Sequence, residues 1–123
     1  MKTIIIVDDN ITFLNVIKEQ IEKKFDCFLI KTFNNPLEAL KELNKEFHLL
    51  IIDWEMSFLD GKKFLTYAES IGVPFHKIII ISSKDALELH KHFQLGRVLS
   101  VINKSDPLQM DALFMILENI SCI

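Results

Sequence analysis

The most constraining feature of this chain is the alternation of five short apolar runs with five helical patterns. Periodicity and turn residues predict strands at 3–8, 27–32, 48–53, 76–82 and 98–102, and helices at 12–24, 36–46, 61–71, 85–93 and 107–120. Strands that alternate with helices form βαβ units, whose right-handed crossovers give a parallel sheet with helices on both faces. The simplest arrangement is a doubly wound α/β sheet of five parallel strands in the order 2-1-3-4-5, with five helices in two outer layers.

Polar and charged side chains directly follow four of the five apolar runs. In an open parallel sheet the carboxyl ends of the strands share one rim, and ligands bind there. We therefore expect three carboxylates, one hydroxyl and one ammonium group to gather in a single cleft. Such a set suits a divalent cation bound together with a phosphoryl group. The residues are Asp8 and Asp9 after the first run, Asp53 after the third, Ser82 after the fourth and Lys104 after the fifth.

Composition narrows the class of protein. The chain has 123 residues, half of them hydrophobic, and we expect one globular domain over 1–123. Its 14 basic and 17 acidic residues give a formal net charge of −3, which argues against direct contact with nucleic acid. No apolar stretch approaches membrane-spanning length and no secretory signal is visible, so we expect a cytoplasmic protein without a membrane partner. Cys27 lies in an apolar run and is predicted to be reduced, with a disulfide to Cys122 as the alternative.

In this order and at these strand ends, the polar residues resemble the pattern of response-regulator receiver domains, the phospho-accepting half of two-component signalling. Met56 and the pair Asp60–Gly61, in the loop after the third strand, also match that pattern. The similarity extends over essentially the whole chain. No single element is specific, because an apolar run followed by two aspartates is common, but the complete set in order is specific.

The resemblance implies a mechanism and a role for each site residue. Asp53 would accept a phosphoryl group from a histidine kinase or a phosphotransfer protein, as a carboxylate nucleophile that forms an aspartyl phosphate. Mg²⁺ would be the cofactor, bound by Asp53, directly by Asp9, largely through water by Asp8, and by the backbone carbonyl of Glu55. Such a domain is not an enzyme acting on other substrates; it catalyses only its own phosphorylation and dephosphorylation. Lys104 would pair with the phosphate, and the Ser82 hydroxyl would hydrogen-bond to it.

Four departures from the family pattern bear on how such a domain would signal. Ser105 follows Lys104 where the family usually has a proline after a cis peptide, and a non-proline cis bond costs about 3–4 kcal/mol. Ser57 follows Met56 where the family usually has proline. Val101 stands where an aromatic side chain often swings inward on activation, so the usual hydroxyl–aromatic switch is in doubt. Ser82 replaces the commoner threonine and keeps the hydroxyl.

Three other interpretations remain open from the residues. A degenerate receiver that serves only as a protein-binding scaffold is favoured mildly by the missing aromatic, and the intact acidic residues argue against it. A phosphatase of the haloacid dehalogenase type also uses a strand-end aspartate with Mg²⁺, but that family has Asp-x-Asp where this chain has Asp53-Trp54-Glu55. A flavodoxin-like cofactor binder is weaker still, because no glycine-rich phosphate loop follows the first strand.

Two further hypotheses concern the surface. Glu55 and Lys84, each two residues beyond a site residue, are predicted to flank the mouth of the cleft, where their opposite charges would pair across the phosphoryl group and hinder an attacking water. On the last helix, one apolar stripe is predicted to pack on the sheet, whereas Leu108, Ala112 and Met115 lie on the opposite side. An apolar outer patch usually marks an interaction site. We therefore expect the fourth and fifth helices to dock a second receiver, as a homodimer, or an output partner.

Overall fold

Five parallel strands form one sheet in the order β2-β1-β3-β4-β5, so the predicted α/β fold and strand order are confirmed. The computed structural model describes residues 1–57, 59–84, 89 and 96–120. Each strand lies within two residues of its predicted limits, which places the predicted strand ends at one rim. The strands are β1 (Lys2–Val7), β2 (Phe28–Phe33), β3 (Leu49–Asp53), β4 (Ile78–Ser82) and β5 (Ser100–Asn103).

Four α-helices connect or follow these strands within the described residues. They are α1 (Ile11–Lys24), α2 (Pro36–Leu40), α3 (Gly61–Ser70) and the C-terminal helix (Pro107–Asn119), with a short 3₁₀ helix at Phe75–Lys77. Each α-helix begins after an asparagine or aspartate whose side chain accepts a backbone N–H of the first turn. The predicted fourth helix, 85–93, lies outside the described residues except for the buried Leu89.

The second helix is shorter than predicted. It ends at Leu40, and the chain continues to residue 45 as turns closed by hydrogen bonds between residues three apart, such as Leu43 N–H to the Leu40 carbonyl. This tighter winding still buries Leu43 and Phe47 in the core beside the sheet. The apolar spacing was therefore interpreted correctly as burial, but it did not distinguish an α-helix from successive 3₁₀-type turns.

Two hydrophobic cores lie on opposite faces of the sheet because successive strand side chains point to opposite sides. Ile5 and Val7 of β1 face one core, where Phe64 of α3 packs. Ile4 and Ile6 face the other core, which α1 and the C-terminal helix cover. The three inner strands are buried over most of their length, as expected for a parallel sheet covered on both faces.

The N-terminus of α3 approaches the backbone after β3 so closely that only glycine fits. A Cβ atom on Gly61 would lie 2.6 Å from Trp54 Cα and 2.7 Å from the Asp53 carbonyl oxygen. The Gly61 N–H donates to the Trp54 carbonyl at 3.0 Å, and the Asp60 side chain caps the helix by accepting the Lys63 N–H. Helix α3 therefore fixes the backbone on which Asp53 stands.

The structure bears on the redox state of Cys27 and on whether any helix could span a membrane. Cys27 is disulfide-bonded, so the prediction of a reduced core cysteine is wrong, because an apolar neighbourhood alone does not exclude a disulfide. Among the described residues, no helix combines the length and the apolar character needed to cross a membrane.

Gly61→Ala is expected to lower the free energy of unfolding by about 1–3 kcal/mol, because the added methyl group must push apart two stretches of backbone. Urea denaturation followed by circular dichroism measures this. The matched control is Lys62→Ala at the next, exposed helical position, where a change within about 0.5 kcal/mol is expected. Equal stabilities of the two variants would contradict the close approach.

Candidate functional site

Backbone pairing continues beyond the strand ends and positions three site residues. The Asp8 N–H donates to the Phe33 carbonyl at 3.1 Å, which extends the β1–β2 pairing. Asp53 is the last residue of β3 and lies opposite Ile81 of β4. The Lys104 N–H donates to the Ser82 carbonyl at 2.8 Å, which extends the pairing of β4 with β5. The predicted convergence of Asp8, Asp53, Ser82 and Lys104 at one rim is therefore present in the structure.

The Lys104 ammonium group lies between two buried carboxylates. Its Nζ is 2.7 Å from Asp8 Oδ2 and 3.4 Å from Asp53 Oδ2. The ammonium also lies over the ring of Phe13, 5.0 Å from its centroid. No cis peptide occurs among the described residues, so the Lys104–Ser105 bond is trans. Lysine therefore reaches the site without the cis bond usual in the family.

An Asx turn at Asn103 directs the chain after β5. The Asn103 side chain accepts the Ser105 N–H at 2.9 Å, and the Asn103 N–H donates to the Gln109 side chain at 2.7 Å. Both bonds are local, so they give the loop a defined path from β5 into the C-terminal helix without proline. This path accounts for the position of Lys104 on a trans backbone.

Three carboxylates at the rim have the chemistry of a divalent-cation site. One oxygen each of Asp8, Asp9 and Asp53 lies within 4.8 Å of the other two. Three carboxylates against the single Lys104 ammonium leave a formal local charge of −2, which a dication would neutralise. Oxygen ligands of this kind are those that Mg²⁺ prefers. The donor set therefore fits the predicted metal.

Burial and neighbouring charge control the ionisation of the site. Burial and, after it, the charge of Asp8 raise the pKa of Asp53 to about 7, although the charge of Lys104 opposes both. Burial lowers the pKa of Lys104, but its hydrogen bond to Asp8 and the charges of both aspartates outweigh burial and raise that pKa overall. Lys104 is thus held as a cation, while Asp53 retains its proton more readily than an exposed aspartate.

Asp9 is held by the loop after β3. Its Oδ2 accepts the Ser57 hydroxyl at 2.8 Å and the Ser57 N–H at 3.2 Å. The Ser57 N–H exists because this position is not proline, so the departure from the family pattern supplies both donors. Sequence reasoning noted Ser57 only as a replacement of the usual proline and missed this contact.

The Glu55 side chain lies against Ser82 and Ser83 at the end of β4, where sequence reasoning did not place it. The two Glu55 carboxylate oxygens accept the Ser82 hydroxyl at 2.7 and 2.8 Å, and Oε1 also accepts the Ser83 hydroxyl at 3.1 Å and the Ser83 N–H at 3.3 Å. Among the described residues Glu55 makes no ion pair with Lys84, whose N–H donates to Ser82 Oγ at 3.0 Å. The predicted Glu55–Lys84 pair concerns the phosphorylated protein and stays a prediction.

An open groove of about 750 Å³ separates α1 from the C-terminal helix. Its walls are mainly apolar, and Lys104 and Ser105 line it together with Phe13, Met110 and Phe114. Because Lys104 lines the groove and also contacts Asp8 and Asp53, the groove lies next to the acidic cluster.

Comparisons with known proteins agree with this geometry. The family model described as "Response regulator receiver domain" matches residues 4–116. A search of curated proteins finds no significant match. A Francisella response regulator receiver domain superposes with a TM-score of 0.76 at 20% identity, covering 97% of this chain and 99% of that chain.

Two further solved structures are similar. A CheY-like receiver domain protein from Methanospirillum hungatei has a TM-score of 0.78 at 22% identity, covering 97% of this chain and 93% of that one. The response regulator TrrA from Thermotoga maritima, solved in complex with Mg²⁺-BeF, has a TM-score of 0.74 at 24% identity, covering 95% of this chain and 100% of that one. At these identities the likeness shows the shared fold.

Asp53→Asn is expected to change the pH dependence of stability in buffer without divalent cations. Because the folded-state pKa of Asp53 lies above its ordinary value, the folded protein binds this proton more readily, and stability falls as pH rises from about 4 to above 7. The variant lacks this titration. Relative to wild type, it should be nearly equal in stability near pH 4 and more stable by at least about 1 kcal/mol at pH 8.

Urea denaturation across this pH range measures the effect, and Asp111→Asn on the exposed side of the C-terminal helix is the control. If wild type and Asp53→Asn show parallel stability–pH curves, the buried carboxylate does not have the raised pKa.

Proposed function

Because this chain belongs to the response regulator receiver domain family, we propose that it accepts a phosphoryl group on Asp53 from a histidine kinase or a phosphotransfer protein, with Mg²⁺ as cofactor. The observation that carries the proposal is the buried Asp53 carboxylate, which has Lys104 on one side and two further carboxylates within reach of one cation. A signalling role follows, in which the domain acts catalytically only on its own phosphorylation and dephosphorylation.

The proposed reaction is a transfer between two side chains. One Asp53 carboxylate oxygen attacks phosphorus of the donor phosphohistidine; the P–O bond forms while the P–N bond breaks, and the electron pair returns to the imidazole. Lys104, held as a cation beside Asp53, neutralises charge on the transferring group. Dephosphorylation ends the signal. Water attacks phosphorus, the bond between phosphorus and the Asp53 oxygen breaks, and inorganic phosphate leaves while the Asp53 carboxylate is restored.

The residues that would hold Mg²⁺ follow from which oxygens are already engaged. Both Asp8 oxygens accept protein donors, Oδ1 from the Asn10 N–H at 2.9 Å and Oδ2 from Lys104, which supports contact with the ion through water. Asp53 accepts only longer contacts, 3.3 Å from the Glu55 N–H and 3.4 Å from Lys104, so its oxygens are less strongly engaged than those of Asp8. Asp9 and Asp53, with the Glu55 backbone carbonyl, are the proposed direct ligands. When bound, the ion supplies charge neutralisation to a phosphoryl group.

The alternatives differ in what the site must do. A binding scaffold has no need of a buried aspartate beside a lysine, an arrangement that costs folding free energy when left without a ligand. A phosphatase of the haloacid dehalogenase type uses the second acidic residue of its motif close to the nucleophile, whereas the Glu55 carboxylate lies on Ser82 and Ser83. The acceptor role accounts for both observations.

We propose one domain over residues 1–123 that functions in the cytosol, where a kinase has access to ATP. The cytosolic location and the Cys27 disulfide of the structure predict opposite states of this cysteine in cells, because cytosolic thiol systems reduce disulfides. Alkylation of Cys27 in intact cells before lysis checks this. A cysteine that stays blocked until reductant is added would point to an oxidising compartment.

Incubation with Mg²⁺ and a small phosphodonor such as acetyl phosphate is expected to add one phosphoryl group to the wild-type protein. Asp53→Asn should add none, because an amide is not a nucleophile for this reaction, and it should keep the native circular dichroism spectrum. Intact-mass spectrometry measures the gain, and hydroxylamine should remove it from the wild type. Omission of Mg²⁺ should suppress the reaction.

Different outcomes identify the alternatives. A variant that gains a hydroxylamine-labile phosphoryl group at the wild-type rate would refute Asp53 as acceptor. Continuous release of phosphate without a covalent product would support the phosphatase, and no reaction by the wild type would support the scaffold.

We also propose that the outer face of the C-terminal helix docks a second receiver or an output partner. Leu108 and Met115, at 80% and 65% exposure, form an apolar stripe with Ala112, as predicted, while Leu113 and Leu117 are buried against the sheet. The predicted contribution of the fourth helix lies outside the described residues.

Leu108→Asp with Met115→Asp is expected to abolish self-association of the phosphorylated protein and to weaken partner binding, because two charges replace the apolar contacts. Sedimentation with and without phosphorylation measures this, and Asn34→Asp with Asn44→Asp adds the same charge at exposed positions elsewhere. Wild-type association by the first double variant in both states would place the interface elsewhere.

A further inference from the structure

The Glu55 carboxylate occupies a set of hydrogen-bond donors at the end of β4. Ser82 is fully buried and directs its hydroxyl to both carboxylate oxygens, while Ser83 offers a hydroxyl and a backbone N–H to one of them. The Glu55 N–H donates to Asp53 Oδ1 at 3.3 Å. Glu55 therefore links the acceptor carboxylate, through its backbone, to the serine donors, through its side chain.

We propose that the Glu55 carboxylate competes with a phosphoryl group on Asp53 for the hydrogen-bond donors of Ser82 and Ser83, here called the cradle. The Ser83 hydroxyl is then the second side-chain donor of this cradle. The proposal rests on the function proposed above. In the unmodified protein the carboxylate fills the cradle of Ser82 and Ser83, and a phosphoryl group on Asp53 must displace it. Glu55 acts as a positioning residue, because it controls the availability of donors and does not itself react.

The competition follows from the number of hydrogens available. A serine hydroxyl has one hydrogen to donate, so Ser82 cannot serve the Glu55 carboxylate and a phosphoryl oxygen fully at the same time. Ser82 adjoins Ile81, the residue opposite Asp53 in the neighbouring strand, so its hydroxyl belongs to the same rim as the acceptor. Charge acts in the same sense, since a carboxylate and a phosphoryl group repel each other when both approach one set of donors.

Trp54 provides a direct measurement because it is the only tryptophan of the chain and adjoins both Asp53 and Glu55. Fluorescence titration with beryllium and fluoride at saturating Mg²⁺ would give the affinity for a phosphoryl analogue without any phosphodonor. The Glu55→Ala variant keeps the backbone carbonyl proposed for the metal and removes the competing side chain. Its affinity for beryllofluoride should exceed that of wild type by at least about fivefold, as expected for release of hydrogen bonds to a charged group.

Glu55→Asp separates competition from charge. The shorter side chain keeps its negative charge but withdraws the carboxylate from the serines, so competition predicts an affinity above that of wild type. A purely electrostatic effect predicts a wild-type affinity for Glu55→Asp. Glu22→Ala, which removes an exposed carboxylate on α1, is the control and should match wild type.

Ser83→Ala tests the second donor through a double-mutant comparison. In the Glu55→Ala background it should weaken beryllofluoride binding by at least about threefold, as expected for loss of one hydrogen bond. In the wild-type background the effect should be smaller, because competitor and ligand lose the same donor. Equal effects in both backgrounds would overturn the shared cradle.

The remaining outcomes are distinct. Equal affinities of wild type, Glu55→Ala and Glu55→Asp would overturn the competition while leaving the phospho-acceptor function intact. If no variant binds beryllofluoride and none is phosphorylated, the proposed function fails and the competition fails with it. The ligand-free contact has its own measurement, because the Ser83 amide resonance should shift in Glu55→Ala without any ligand, and an unchanged resonance would overturn the contact.

Discussion

The ion pair of Lys104 with two buried carboxylates is the interaction on which the site depends. Asp8 and Asp53 lie at the ends of adjacent strands with almost no exposure, and buried carboxylates repel each other unless a cation or a proton is present. Lys104 supplies one positive charge, which leaves the cluster of three carboxylates with a net negative charge. The remaining negative charge favours binding of a dication. A bound dication would in turn neutralise the carboxylates and favour binding of a phosphoryl group.

Much of this arrangement could be predicted from the sequence because it is a consequence of topology. Buried β-branched runs predict inner parallel strands, and the carboxyl ends of such strands share a rim, so Asp8, Asp53, Ser82 and Lys104 had to converge. The reach of Lys104 from a trans backbone could not be predicted, since it depends on an Asx turn at Asn103. The end of α2 at Leu40 was also missed, because apolar spacing is similar for α-helical and 3₁₀ turns.

Side chains in loops were predicted least well. Ser57 holds Asp9 and Ser83 helps to hold Glu55, yet neither residue carries periodicity or a motif that marks it. Paired serines after a buried strand were the one available signal. These contacts share one physical feature, which is that hydroxyl and amide groups of the protein donate hydrogen bonds to carboxylates of the rim. Under the competition proposed above, phosphorylation would exchange the partner of Ser82 and Ser83, and that exchange involves no aromatic side chain at position 101.

The central claim is that Asp53, and no other carboxylate of the rim, carries the phosphoryl group. Borohydride reduction of the phosphorylated protein converts an aspartyl phosphate to homoserine, and peptide mass spectrometry locates the converted residue. The account predicts homoserine at position 53 alone, formed only after incubation with Mg²⁺ and phosphodonor. Conversion of Asp8 or Asp9, or a phosphorylated protein without any converted aspartate, would contradict it.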